Sequence, residues 1–96
     1  MSYYGDISRI SDEEAELIRR EQQINSIVKQ LLTPEAWERL RRVEFVKPEL
    51  ARRVKLSLIQ LYSAGRINRR ITDSELKTLL ARLSESTRRD FKIRVI

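Results

Sequence analysis

FVKPELARRVKLSLIQLYSAGRI, residues 45–67, decides the fold. Pro48 stands where a first helical turn tolerates a residue without an N–H, and Gly65 stands where a helix closes on a left-handed residue, so both ends of a helix are marked. The span between them is about four and a half turns. Leu50, Ala51, Val54, Leu58, Leu61 and Tyr62 share one broad face, as an amphipathic helix requires, while Leu56 and Ile59 lie on the other side. Only narrow strips carrying Arg53, Gln60 and Lys55 are polar. The stretch therefore reads as one buried helix, covered on more than one side, at the centre of a small bundle.

Ninety-six residues suit one domain with a modest core and no deep, lidded cavity. The chain contains neither histidine nor cysteine, which excludes the ordinary zinc sites, the Ser-His-Asp and Cys-His triads and imidazole acid/base chemistry. No two remaining catalytic groups form a recognisable constellation, so no catalytic residue, metal or cofactor is expected. The start, MSYYGDISRISDEE, lacks the apolar core of a signal peptide, and no apolar run approaches membrane-spanning length. A soluble, cytoplasmic protein is the expectation.

The net charge is +6, unevenly placed. Residues 1–22 hold six acids and three arginines, whereas the remaining 74 residues carry +9. Arginine outnumbers lysine fifteen to five, and the planar guanidinium pairs with phosphate through two bonds. A basic body with an acidic leader points to a polyanionic partner. The alternatives are a solvated charged face or an ion-pair-rich, heat-adapted surface.

Outward from the central stretch, Ser11-Asp12-Glu13-Glu14 has the form of a capping box, so a helix begins there, with acids in its first turn. Its first half offers only Ala15, Leu17 and Ile18 and is expected to project. From Ile24, an apolar stripe of Ile27, Val28, Leu31 and Leu32 joins the core. Thr33-Pro34-Glu35 starts a second helix, with Ala36, Trp37, Leu40 and Val43 inward and the pairs Glu35–Arg39 and Glu38–Arg42 outward. Trp37 reads as a partly buried core ring rather than a base-stacking one, and Phe45 and Val46 as a tight connector. After Gly65, RINRRI is the densest basic loop of the body, leading into the capping box Thr72-Asp73-Ser74-Glu75 and a helix to about Glu85. Its seven or so residues exceed the turn of a DNA-reading helix-turn-helix. In STRRDFKIRVI, Phe91, Ile93 and Val95 alternate with Lys92 and Arg94, so an extended basic tail is expected, its apolar residues either docking on the bundle or meeting nucleic acid.

The run from Leu32 to Leu83 resembles the archaeal double-stranded-DNA-binding protein family, related to the eukaryotic programmed cell death five proteins. The likeness is carried by Thr33-Pro34-Glu35-Ala36, Glu38-Arg39-Leu40, Val46-Lys47-Pro48-Glu49, Leu58-Ile59-x-Leu61, Gly65-x-Ile67, Ile71-Thr72-Asp73 with Leu76, and the ending Arg88-Arg89-Asp90-Phe91-Lys92-Ile93-Arg94. It implies a three-helix core with a separate N-terminal helix and a basic tail, binding double-stranded DNA. Its eukaryotic relatives are also linked to the group II chaperonin. This chain departs from the pattern in having Trp37 in place of an arginine and Lys55 where an acid is common.

The expected architecture is thus all-α. A compact three-helix bundle core carries an additional projecting N-terminal helix and an extended basic C-terminal tail, divided as 1–23, 24–86 and 87–96 of a single domain. Backbone phosphates would be met by Arg66, Arg69, Arg70, Arg88, Arg89, Lys92 and Arg94, with Lys47, Arg52, Arg53 and Lys55 as a secondary patch, without sequence reading. The expected species is a monomer with double-stranded DNA as partner and no membrane. The second reading makes structured RNA, a ribosome or a chaperonin the true partner of an adaptor, recognised through the acidic helix.

Overall fold

In the computed structural model, which describes the backbone of residues 11–95 and the side chains of residues 11–86, each helix starts where the sequence marks a boundary. Helix α1, Asp12–Leu31, opens on the expected capping box. Ser11 Oγ accepts from the Glu14 N–H at 3.1 Å, and the Ser11 N–H donates back to Glu14 Oε1 at 3.4 Å. Helix α2, Pro34–Val46, is capped by Thr33, whose Oγ1 accepts from the Ala36 N–H at 3.3 Å. Helix α3, Pro48–Ser63, follows after Lys47 alone. That residue closes one helix and opens the next: its N–H donates to the Val43 carbonyl at 2.6 Å and its own carbonyl accepts from the Ala51 N–H at 3.1 Å. Helix α4 runs Asp73–Val95.

The buried apolar side chains come from all four helices: Val28 and Leu31 of α1, Ala36 and Leu40 of α2, Ala51, Val54 and Leu58 of α3, and Leu76 of α4, with Leu32 between α1 and α2. Helices α2 and α3 form the centre, and α1 and α4 pack on both of them but, among the described residues, not on each other. The division between projecting and packed segments falls inside α1. Its first half is exposed, with Leu17 and Ile18 open to solvent, and its second half reaches the core through Ile24, Val28 and Leu31, whereas Ile27, expected in that stripe, is 40% exposed. Among the described residues the fold is all-helical, and no helix is long and apolar enough to cross a membrane.

Three expectations change. Phe45 and Val46 are not a connector leading into the central helix; they form the last turn of α2, with 93% and 78% of their surfaces exposed. The central helix is packed by the three other helices but not all round: Ile59 packs against the core and Lys55 is buried, whereas Leu56 is 48% exposed and Tyr62, on the broad face, is 54% exposed. The third change concerns the C-terminal segment. It was expected as an extended tail, but α4 continues through it to Val95. A lone strand has no neighbour to take its backbone N–H and C=O groups, whereas a helix satisfies them within the segment.

Candidate nucleic-acid interface

The basic loop is fixed at both ends by backbone hydrogen bonds. Helix α3 closes in a Schellman arrangement: the Gly65 N–H donates to the Tyr62 carbonyl at 3.0 Å and the Arg66 N–H to the Leu61 carbonyl at 2.9 Å. Gly65 has φ +73°, the left-handed conformation that this closure needs. At the far end the Ile71 N–H donates to the Leu31 carbonyl at 2.8 Å, and the Ile71 carbonyl accepts from the Thr33 N–H at 2.9 Å. This parallel bridge between Leu32 and Ile71 ties the loop to the junction of α1 and α2. Arg66, Arg69 and Arg70 therefore leave a backbone held on both sides, and all three are exposed.

Their charges are not equally available. The Arg69 guanidinium grips Glu75 through two bonds, at 2.8 and 3.2 Å. Glu75 also accepts from the Thr72 N–H at 2.9 Å, while its own N–H donates to Thr72 Oγ1 at 3.3 Å, completing the second expected capping box. The Thr72 N–H above all, then Arg69, lowers the Glu75 carboxyl to a pKa of about 2. Arg66 and Arg70 have no ion pair among the described residues.

Asp73, the first residue of α4 beside this loop, is engaged across the bundle. Arg39 Nε lies 2.5 Å from its Oδ1 and Arg39 Nη2 lies 3.1 Å from its Oδ2. The pair joins α2 to α4 over 34 residues of sequence and replaces the expected Glu35–Arg39 contact. The hydrogen bond from Arg39 chiefly lowers the Asp73 pKa, and the same bond chiefly raises that of Arg39. Neither carboxylate suits general-base work, since each is held ionised as a structural acceptor.

The secondary patch does not form as one surface. Lys55 is 4% exposed, and its Nζ lies 2.5 Å from Glu44 Oε2, so it is removed from the cations a phosphate can reach. Arg52 is exposed but bound to Glu21 of α1 at 2.9 Å. Arg53 is exposed on α3, and Lys47 is exposed at the α2–α3 corner. Arg88, Arg89, Lys92 and Arg94 fall within the helical backbone of α4, but their side chains lie outside the described residues.

Sequence reasoning missed the outer strip of α2. Arg41 and Arg42 are exposed and form no salt bridge among the described residues, though Arg42 adds to the field on Asp73, and Arg41 lies over the Trp37 ring, 5.7 Å from its centre. Trp37 itself packs against the core, as expected of it. Arg42 had been assigned to Glu38 by spacing, a pair absent among the described residues. The usable signal was the period: Arg41, Arg42 and Phe45 fall three and four residues apart, opposite Ala36, Leu40 and Val43. Beside this strip lies a mostly apolar groove of about 420 Å³, walled by Val43, Val46, Leu50 and Leu80 together with Arg39, Arg42 and Lys47. No cluster of acids that could hold a metal ion occurs among the described residues.

Comparison with known proteins gives one consistent result. A family profile described as a double-stranded DNA-binding domain matches residues 5–96. Among curated relatives, a DNA-binding protein of Thermococcus kodakarensis is 58% identical over 74 residues, covering 77% of this chain and 66% of the relative. One from Pyrococcus horikoshii is 55% identical over 74 residues, covering 77% and 64%. One from Sulfolobus acidocaldarius is 48% identical over 75 residues, covering 78% of each. The match thus spans slightly under two thirds of the length of the first two relatives.

Proposed function

The chain belongs to the double-stranded DNA-binding domain family, and from that premise we propose that it binds duplex DNA through backbone phosphates, without reading sequence. The observation that carries the reading is the loop 66–71. Its backbone is pinned at both ends, while the acids that follow it are consumed by Arg39, Arg69 and the Thr72 cap. Arg66 and Arg70 have no ion pair among the described residues and stand on a pre-arranged support, which reduces the ordering cost of each phosphate contact. Arg88, Arg89, Lys92 and Arg94, on the helical backbone of α4, are proposed as further phosphate contacts. The low carboxylate pKa values in this region serve caps and ion pairs, so the activity proposed is binding rather than catalysis.

Neutralising roughly four to six phosphates gives a log K against log salt slope of about −4 to −5. The test is a salt titration against random duplex DNA, single-stranded DNA and structured RNA of equal length. Duplex preference with the steep slope is expected. A slope near zero, or tighter binding to RNA than to duplex, would overturn the reading.

A further inference from the structure

Phe45 is the most exposed large apolar side chain among the described residues, at 93%, and it occupies a corner rather than a frayed end. A phenylalanine ordinarily buries roughly 150–250 Å² in a core or interface; here it is exposed together with the adjacent Val46, at 78%, so two neighbouring apolar side chains stand in water at one corner. In helical register it shares the outer face of α2 with Arg41 and Arg42, four and three residues earlier, and Lys47 follows two residues later. None of these three cations forms a salt bridge among the described residues, although Arg42 lies within the field of Asp73, which Arg39 already holds. The acids nearby are Glu38, Glu44 and Glu49, and Glu44 is already bound to Lys55. Arg41, Arg42 and Lys47 are thus exposed cations without a salt bridge among the described residues, close in sequence to one exposed ring.

We propose that Phe45 is a wedge that enters between stacked base pairs of duplex DNA from the minor groove and kinks the helix, with Arg41, Arg42 and Lys47 on the flanking phosphates. The inference rests on the duplex-binding reading above and adds a consequence that phosphate contacts alone do not have, namely bent DNA. Minor-groove architectural proteins use an apolar side chain in this way, separating a base step to gain contact over a bent duplex. Opening a step costs a few kcal/mol, so the wedge needs a stiff base. The corner supplies one. Lys47 is hydrogen-bonded into both helices, Pro48 fixes φ immediately after it, and Val46, itself 78% exposed, stands beside the ring as a second apolar contact.

The experiment uses the full chain and a duplex of about 25 base pairs carrying end dyes for energy transfer, with 2-aminopurine at a central pyrimidine–purine step. Wild type, Phe45→Ala and Phe45→Leu are titrated at several salt concentrations. Because the ring is exposed, both variants keep the fold, which circular dichroism verifies. Wild type should shorten the end-to-end distance and raise the 2-aminopurine signal. Phe45→Ala should lose both signals and about tenfold in affinity at an unchanged salt slope, with Phe45→Leu in between. A steep slope with a straight duplex, or equal affinity and bending for wild type and Phe45→Ala, overturns the wedge while leaving phosphate binding in place. Absence of any salt-dependent duplex binding by wild type overturns both.

Discussion

Glu44→Ala should destabilise this protein much more than Lys55→Met, although both remove the same ion pair. Lys55 is the one buried charged side chain of the described residues, 5% exposed beyond its backbone, whereas the Glu44 side chain is 37% exposed. At the observed 2.5 Å separation and an effective dielectric constant near 20, the attraction is roughly 6–7 kcal/mol. Taking the ammonium out of water costs several kcal/mol, so the net value of the pair is small. The two truncations are therefore unequal. Removing Glu44 strands a buried cation, at a cost of about 2–3 kcal/mol, below the usual range because the partly open site admits water. Removing Lys55 strands only a carboxylate that water can reach, and methionine fills the volume, so the change should stay within about 1 kcal/mol. In urea unfolding at pH 7, Glu44→Ala should lower the midpoint at an unchanged slope, and the double variant should regain most of the loss. Equal costs for the two single variants, or no recovery in the double variant, would refute the reasoning. A buried Lys55 also makes no phosphate contact, so Lys55→Met should leave the salt slope of DNA binding unchanged.

The loop arginines make the opposite prediction: Arg66→Ala with Arg70→Ala should flatten the salt slope by about 2 and weaken duplex binding, with unfolding unaffected. Glu75 titrates at about 2 in the fold against an ordinary 4.5, so the unfolded chain binds more protons between those values. The stability from this group is therefore complete above pH 4.5 and is lost as pH falls toward 2. Glu75→Gln should remove that part of the acid dependence, read from urea midpoints across the window. At Gly65 an added Cβ meets nothing within 4 Å, so Gly65→Ala should cost only the backbone strain of a positive φ, about 1 kcal/mol, and Gly65→Asn less.

Helix beginnings were legible because caps are local. Ser11 with Glu14, Thr33 before Pro34, Lys47 before Pro48, and Thr72 with Glu75 each join residues no more than three apart, and each behaves as its spacing dictates. What was not legible depends on contacts distant in sequence. Lys55 reads as part of a polar strip until Glu44, eleven residues away on another helix, covers it. Arg39 has a plausible partner in Glu35 one turn away but takes Asp73, since a two-bond grip in a half-buried seam outcompetes a solvated pair on one helix face. The alternation of Phe91, Ile93 and Val95 carried the signature of a strand without anything to pair with, and backbone satisfaction prevailed over side-chain period.

The same long-range pairings explain why a count of arginines is a poor map of the binding surface. The acids decide which cations remain available. Glu16 engages Arg19 and Arg20, Glu21 engages Arg52, Glu44 engages Lys55, Asp73 engages Arg39 and Glu75 engages Arg69. The exposed arginines left without a described carboxylate then include Arg66 and Arg70 on the pinned loop and Arg41 and Arg42 beside Phe45. The first set stands on a loop whose end at Ile71 is hydrogen-bonded to the α1–α2 junction, and the second on the last turns of α2, which Lys47 joins to α3. The ion pairs of the body thus do two things at once. Three of them, Glu21–Arg52, Glu44–Lys55 and Arg39–Asp73, fasten helices together, and all of them engage cations that a count would include.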